Sequence, residues 1–214
     1  MLLTATRFNY KSADVAAEEA HYLGHHVALA RQLPGLRLYY TARPVEVAGQ
    51  TPDRRRGAII MFDNADAWVA AMRAGTGPAL RADTEAHLAD LVRVTVDAEV
   101  IVPFDARRPG QAAFVMAAEF DLATADGGLE AAELRYRDRH VALARDLPGL
   151  RHYVIGRVAR GGAAERYRLA ILAFDTVDAL REAYRSPLGR ALRADERATI
   201  VNARVSWLDV RVEI

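Results

Sequence analysis

The 214-residue chain contains no cysteine, which excludes disulfide staples, thiolate nucleophiles and thiolate-bound metals. It has a single lysine, Lys11, so Schiff-base chemistry has one candidate, and nothing around it suggests a desolvating pocket. An excess of one charge is missing as well. Lysine plus arginine number 29 against 28 acidic residues, a net charge of +1, so no global field draws the chain toward nucleic acid or anionic lipid. No apolar run reaches bilayer length. The opening "MLLTATRFNY" lacks the basic-then-apolar pattern of a signal peptide, which predicts a cytoplasmic protein with no membrane partner. What remains is ordinary globular composition, 51% hydrophobic and 27% charged, enough for a sizeable core. Its arginine- and alanine-rich make-up suits a GC-rich, bacterial genome.

The dominant internal feature is a repeat. "HVALARQLPGLRLYY" at 26–40 returns as "HVALARDLPGLRHYV" at 140–154, and Glu19 and Tyr22 correspond to Glu133 and Tyr136 at the same spacing. Farther along, "FDNADA" matches "FDTVDA" and "ALRAD" occurs twice, with a two-residue slip in the loop between Pro44 and Arg56. The first strands align through Phe8 and Phe120. The repeat predicts two units, 1–106 and 111–214, with a seam near "FDARRPGQ" at 104–111.

Each unit reads β-α-β-β-α-β. "LLTATRFNY" alternates as a strand, and a helix capped by Ser12 or Asp14 runs to Gln32 and stops at Pro34-Gly35. Two strands, 36–45 and 54–63, flank a polar loop. "NADAWVAAMRA" is helical, "GTGP" interrupts it, and helix resumes through "ALRADTEAHLAD" to residue 90; the last strand is "VRVTVDAEVIV". This order is the ferredoxin-like unit, whose sheet is left bare on one face. A second copy would cover it. The expected fold is therefore α+β, two ferredoxin-like repeats forming one pseudo-dimeric α+β barrel with helices outside.

The histidine-led helix ending in "LPGLR", followed by tyrosine two residues on and then "FD…DA" and "ALRAD", resembles the EthD family of dimeric α+β barrel proteins over nearly the whole chain, once per half. The resemblance implies that both halves of a dimer are joined covalently here, as a monomeric pseudo-dimer or a homodimer of such chains. The wider superfamily implies a small aromatic, quinonoid or polyketide-like ligand and reactions without a cofactor: oxygenation, cyclisation or isomerisation. It also contains haem enzymes and proteins with no known reaction, so fold alone does not fix function.

Glu19, Tyr22, His26, Ala30 and Leu33 fall on one helical stripe, repeated as Glu133, Tyr136, His140, Ala144 and Leu147. His26 and His140 are thus the candidate general bases, near-neutral imidazoles beside a tyrosine. The bland reading is a histidine that pins helix to strand. Tyr22, Tyr136, Tyr39 and Tyr153 are candidate ligand contacts, or strand and helix aromatics that simply pack. Trp68 opposite Leu180, and Tyr184 opposite Met72, make two pockets inequivalent and join the ligand-binding candidates. His21 and His25 stand four apart, as in helical metal pairs, but Arg135 and Arg139 replace them in the second unit and no third ligand is evident, so no metal site is expected; His87 stands alone. Arg37, Arg151, Arg81 and Arg193 are best read as salt-bridge partners of Asp83, Asp195 or neighbouring elements.

Two rivals are weighed. Paired RNA-recognition modules share this element order, yet "RGAIIMF" puts Ala58 and Ile60 where stacking aromatics belong, and the charge is neutral; no nucleic-acid partner is expected. Haem on either histidine needs a roomy cavity that sequence cannot measure. A binding or accessory protein that holds its ligand without turnover remains the alternative to an enzyme.

Overall fold

A computed structural model describes residues 1–47, 49, 51–103, 110–124, 127–160 and 166–214. Most of the expected seam, residues 104–109, lies outside them.

The first unit runs β1 (Leu2–Tyr10), α1 (Val15–His21), a π-helical turn (Tyr22–His26), α2 (Val27–Arg31), β2 (Leu36–Pro44), β3 (Arg56–Phe62), α3 (Ala65–Arg73), α4 (Gly77–His87) and β4 (Leu88–Val102). The second repeats it as β5 (Ala112–Leu122), α5 (Gly128–Arg135), a π-turn (Tyr136–Val141), α6 (Ala142–Arg145), β6 (His152–Arg160), β7 (Arg168–Phe174), α7 (Val177–Arg185), α8 (Pro187–Thr199) and β8 (Ile200–Val212). Local chemistry sets the ends. Asp14 caps α1 by accepting from the Ala17 N–H at 3.1 Å, and Asn64, Thr176 and Ser186 cap α3, α7 and α8 in the same way. Gly35 and Gly149, each at φ 75°, supply the left-handed residue after "LP" that turns the chain from helix to strand.

The strands close into one antiparallel barrel ordered β1-β3-β2-β8-β5-β7-β6-β4. Each unit contributes the ferredoxin-like order 4-1-3-2, and two seams, β2–β8 and β4–β6, join the units. Alternation along the strands sorts the core into two kinds. Leu38, Tyr40 and Ala42 of β2 point into the barrel with Leu3, Val96, Val115, Ile171 and Val210, filling it. Tyr39 points outward, under the first unit's helices, with Phe8, Tyr22 and Phe62; Tyr153 does the same in the second unit with Phe120, Tyr136 and Phe174. No described helix is long and apolar enough to cross a membrane.

One expected boundary moves. The helix read through residue 90 ends at His87, because Leu88 and Ala89 pair with Tyr10 and Asn9 of β1. Asp90 then takes a positive φ of 50° beside a bulge in β1 and accepts a hydrogen bond from Asn9 Nδ2 at 3.0 Å. In the second unit Asn202, φ 54°, donates to Asp121 at the same distance, with the two residue types exchanged. Asparagine and aspartate tolerate this backbone region best after glycine.

A similar exchange occurs between units. Arg7 and Glu119 occupy equivalent positions on β1 and β5, yet they meet as an ion pair, Arg7 Nη2 lying 3.3 Å from Glu119 Oε1.

Candidate ligand clefts and the buried histidine dyads

Two regions of each unit gather ionisable and aromatic side chains. The first begins at the π-turn. A straight α-helix sets residues five apart roughly 140° apart around its axis, whereas an i→i+5 turn winds more slowly and brings them closer to one face. His21 and His26 therefore both reach Asp83 on α4: His21 Nε2 lies 2.6 Å from Oδ1 and His26 Nδ1 donates to Oδ2 at 2.7 Å. The second unit keeps the inner half of this arrangement, with His140 Nδ1 donating to Asp195 Oδ2 at 3.0 Å. There Arg139 Nε takes the outer oxygen at 2.9 Å.

Behind each imidazole stands a buried stack. Tyr22 lies against His26 with ring centroids 5.1 Å apart, and Tyr136 against His140 at 5.3 Å. Arg56 and Arg168 cover the far faces of these tyrosines at 5.4 and 4.7 Å, and each arginine is held by its unit's Glu19 or Glu133. Glu19 and His26 do not touch; the tyrosine separates them. The Tyr22 and Tyr39 hydroxyls neighbour each other, as do those of Tyr136 and Tyr153, but the Tyr22 and Tyr136 hydroxyls make no hydrogen bond. Burial pushes Tyr22 and Tyr136 up to about 12 and raises Tyr39 and Tyr153 well above the usual phenol range. All four are protonated at neutral pH and can donate a proton to a partner but not take one.

Burial lowers His26 and His140 below the ordinary histidine value, against the opposing pull of their aspartates. Both rings are neutral at pH 7, with Nδ1–H on the carboxylate and Nε2 left as acceptor. For His140 the consequence has a sign. An unfolded histidine binds a proton near 6.5 while the folded one resists, so stability contributed by this site is complete above that value and drains away as pH falls below it. Asp195, Arg139, Tyr136 and Thr199 are the polar groups around it. Thermal melts from pH 7.5 to 5 should show a smaller loss of stability for His140→Gln than for wild type. An unchanged slope would refute the assignment.

The second region lies on the other side of the helix pair. In the first unit α3, α4 and β4 enclose a cleft of about 560 Å³ with Trp68 and Met72 on its floor and Arg73, Arg81 and Arg93 around it. In the second, α7, α8 and β8 enclose about 250 Å³ between Leu180, Tyr184 and Trp207, with Arg181, Arg185 and Arg193 around it. These are equivalent places in the repeat. The Arg93 side chain makes no hydrogen bond or ion pair among the described residues. Tyr184 stands 3.5 Å from Glu196 Oε1, and burial raises the pKa of both groups.

The expected site residues thus divide. Trp68 and Tyr184 line clefts; His26, His140, Tyr22, Tyr136, Tyr39 and Tyr153 are buried and line none of the five principal cavities. The inside of the barrel holds a cavity of only about 30 Å³ at its edge, room for about one water.

The fold recurs in known structures. A candidate monooxygenase of Fusobacterium nucleatum superposes with TM-score 0.73 at 12% identity, covering 99% of this chain and 93% of that one. An anthrone oxidase-like protein gives 0.61 at 14% identity, covering 98% and 90%. The chain is a two-unit ferredoxin-like α+β barrel. An ethyl tert-butyl ether degradation (EthD) family protein from Bacillus halodurans, 24% identical, matches 44% of this chain over 96% of its own length, with TM-score 0.38. No protein-family model matches the sequence, and no curated protein matches it.

Arg37 and Arg151 form the expected salt bridges with a neighbouring element, to Asp63 and Asp175. Three features escaped the sequence reading. Asp83 and Asp195 hold the histidines, whereas Arg81 and Arg193 donate instead to the backbone carbonyls of Met72 and Tyr184 at 3.2 and 2.9 Å. Trp207 walls the second cleft where the first unit has Thr95, so no repeat signal marked it. His87 is not alone: its Nδ1 donates to Glu18 at 2.9 Å and its ring stacks on His21 at 3.9 Å.

Proposed function

We propose that this chain is an EthD-like, cytoplasmic pseudo-dimer, units 1–106 and 111–214, that binds a small aromatic molecule bearing an acidic oxygen in the cleft of each unit. One observation carries the reading: equivalent elements in both units build an aromatic floor ringed by arginines. An aromatic ring gains from burial against Trp68 and Met72, or Tyr184 and Trp207, while a phenolate, enolate or carboxylate meets Arg81 or Arg193. The smaller second cleft selects a single ring or a narrow fused system; the first accepts a larger one.

The two tryptophans of the chain are Trp68 and Trp207, one per cleft. Binding therefore has a built-in reporter. Titration with 1-hydroxy-2-naphthoate should quench tryptophan fluorescence saturably, and Trp68→Phe and Trp207→Phe should assign the signal to one unit or the other. Arg193→Ala is expected to weaken the Trp207-reported affinity about tenfold or more, the scale of a charge-assisted hydrogen bond. Absence of saturable quenching, or equal affinity in Arg193→Ala, would refute the cleft as binding site.

A second reading is enzymatic, and the dyad favours it. A neutral imidazole with Nδ1 anchored on a carboxylate presents an unprotonated Nε2, the arrangement of a general base. In this reading His140 or His26 removes a proton from an acidic carbon or phenol, and Tyr136, Tyr153, Tyr22 and Tyr39 donate to the resulting oxyanion. Whole-chain neighbours described as a candidate monooxygenase and as anthrone oxidase-like support oxygenation of an aromatic ring as the first reaction class to assay. Turnover lost in His140→Gln, with ligand affinity in the cleft retained, would separate catalysis from binding.

A further inference from the structure

We infer that the first unit carries a site for a first-row transition-metal dication, such as Zn²⁺, built by His21, Asp83 and His87 with His25 as fourth ligand. The ligating atoms of His21, Asp83 and His87 all lie within 4.8 Å of one another. A tetrahedral centre with bonds near 2.0–2.1 Å places its ligands roughly 3.3 Å apart, so convergence requires side-chain adjustments and no rearrangement of backbone. His25 Nε2 stands 3.8 Å from the same Asp83 oxygen on a side chain 58% exposed, free to swing inward.

The surroundings are prepared for a ligand. Glu18, buried beneath the cluster, accepts from His87 Nδ1 and so fixes the tautomer that leaves Nε2 for a metal, the carboxylate–histidine support found behind ligating imidazoles. Asp83 is anchored from the other side by His26, which orients Oδ1 outward.

The second unit is the internal control. At the positions of Glu18, His21, His25 and His87 it has Ala132, Arg135, Arg139 and Thr199, and Arg139 closes on Asp195 as an ordinary salt bridge. Only the first unit offers imidazole nitrogens at these positions. A set of two or three imidazoles and one carboxylate suits Zn²⁺, Cu²⁺ or Ni²⁺ over Mg²⁺ or Ca²⁺. This site stands across α4 from the aromatic cleft, so its fate is independent of the ligand-binding reading.

The test uses the full chain without an affinity tag. Calorimetric titration with Zn²⁺ should give one equivalent bound with Kd at or below about 10 µM, and Co²⁺ should give the visible bands of a tetrahedral centre. His87→Ala and His21→Arg should each weaken Zn²⁺ at least tenfold while metal-free melting temperature and circular dichroism stay near wild type. His21→Arg copies what the second unit already tolerates, which guards against misfolding. No saturable Zn²⁺ binding, or wild-type affinity in both variants, would overturn the site.

Discussion

Arg7→Glu and Glu119→Arg are each expected to destabilise the barrel by about 3 kcal/mol, the scale of breaking a buried ion pair, and the double exchange is expected to recover most of the loss. The two side chains are only 12% and 13% exposed, and Arg7 Nη1 also donates to Ser206 at 3.4 Å. Reversal of one charge leaves two like charges facing each other where water screens them only in part. The pair sits at equivalent positions of the two units, and this makes the experiment informative about the architecture. In a symmetric dimer, a residue facing its own copy across the twofold axis meets the same charge. Arginine can meet glutamate here only because one polypeptide encodes both units and lets them diverge. Chemical denaturation of the two single variants and the exchange variant, analysed as a double-mutant cycle, gives the coupling directly. A coupling near zero would mean that the units merely touch at this point.

The repeat made the architecture legible before any coordinates. Once "HVALAR…LPGLR" was seen twice, the bare sheet of each unit required the other, and the observed order 4-1-3-2 closes on itself at two seams. The burial of His26 and His140 was legible too, since both fall on the apolar stripe. Their partners were not. Periodicity of 3.6 assumes an unbroken α-helix, and the π-turn from Tyr22 to His26 shifts every later residue around the axis. His21 and His26 therefore share one carboxylate that ordinary spacing would have kept apart. The repeated "ALRAD" does contain Asp83 and Asp195, but the arginine beside each aspartate invites a salt bridge between the two. In the structure the aspartate does the holding and the arginine ties two helices together. The end of α4 was misjudged for a different reason. Residues 88–90 are acceptable in a helix, and only pairing of Leu88 and Ala89 with β1, far outside any local window, turns this stretch into strand.

Gly189→Ala is expected to cost about 3 kcal/mol, the upper end of ordinary overpacking, and to damage the second cleft selectively. A methyl group at Gly189 would overlap the carbonyl oxygen of Ala183 and come within 2.7 Å of the Tyr184 carbonyl carbon. Gly77 makes the matching approach to Ala71 and Met72 in the first unit. At both places the two outer helices cross so closely that only hydrogen fits. Ser186 reinforces the crossing by accepting from the Gly189 N–H at 3.0 Å. The gain of roughly 1 kcal/mol that alanine normally brings to a helix is too small to offset backbone overlap. Because Tyr184 and Arg193 both line the cleft, and Arg193 donates to the Tyr184 carbonyl, separating α7 from α8 displaces floor and rim together. Naphthoate binding reported by Trp207 should therefore weaken in Gly189→Ala while the Trp68 signal persists, and Gly77→Ala should reverse the pattern. If both variants melt like wild type and bind alike, the helix crossing does not set the shape of the clefts, and the arginine rim must be positioned by the strands alone.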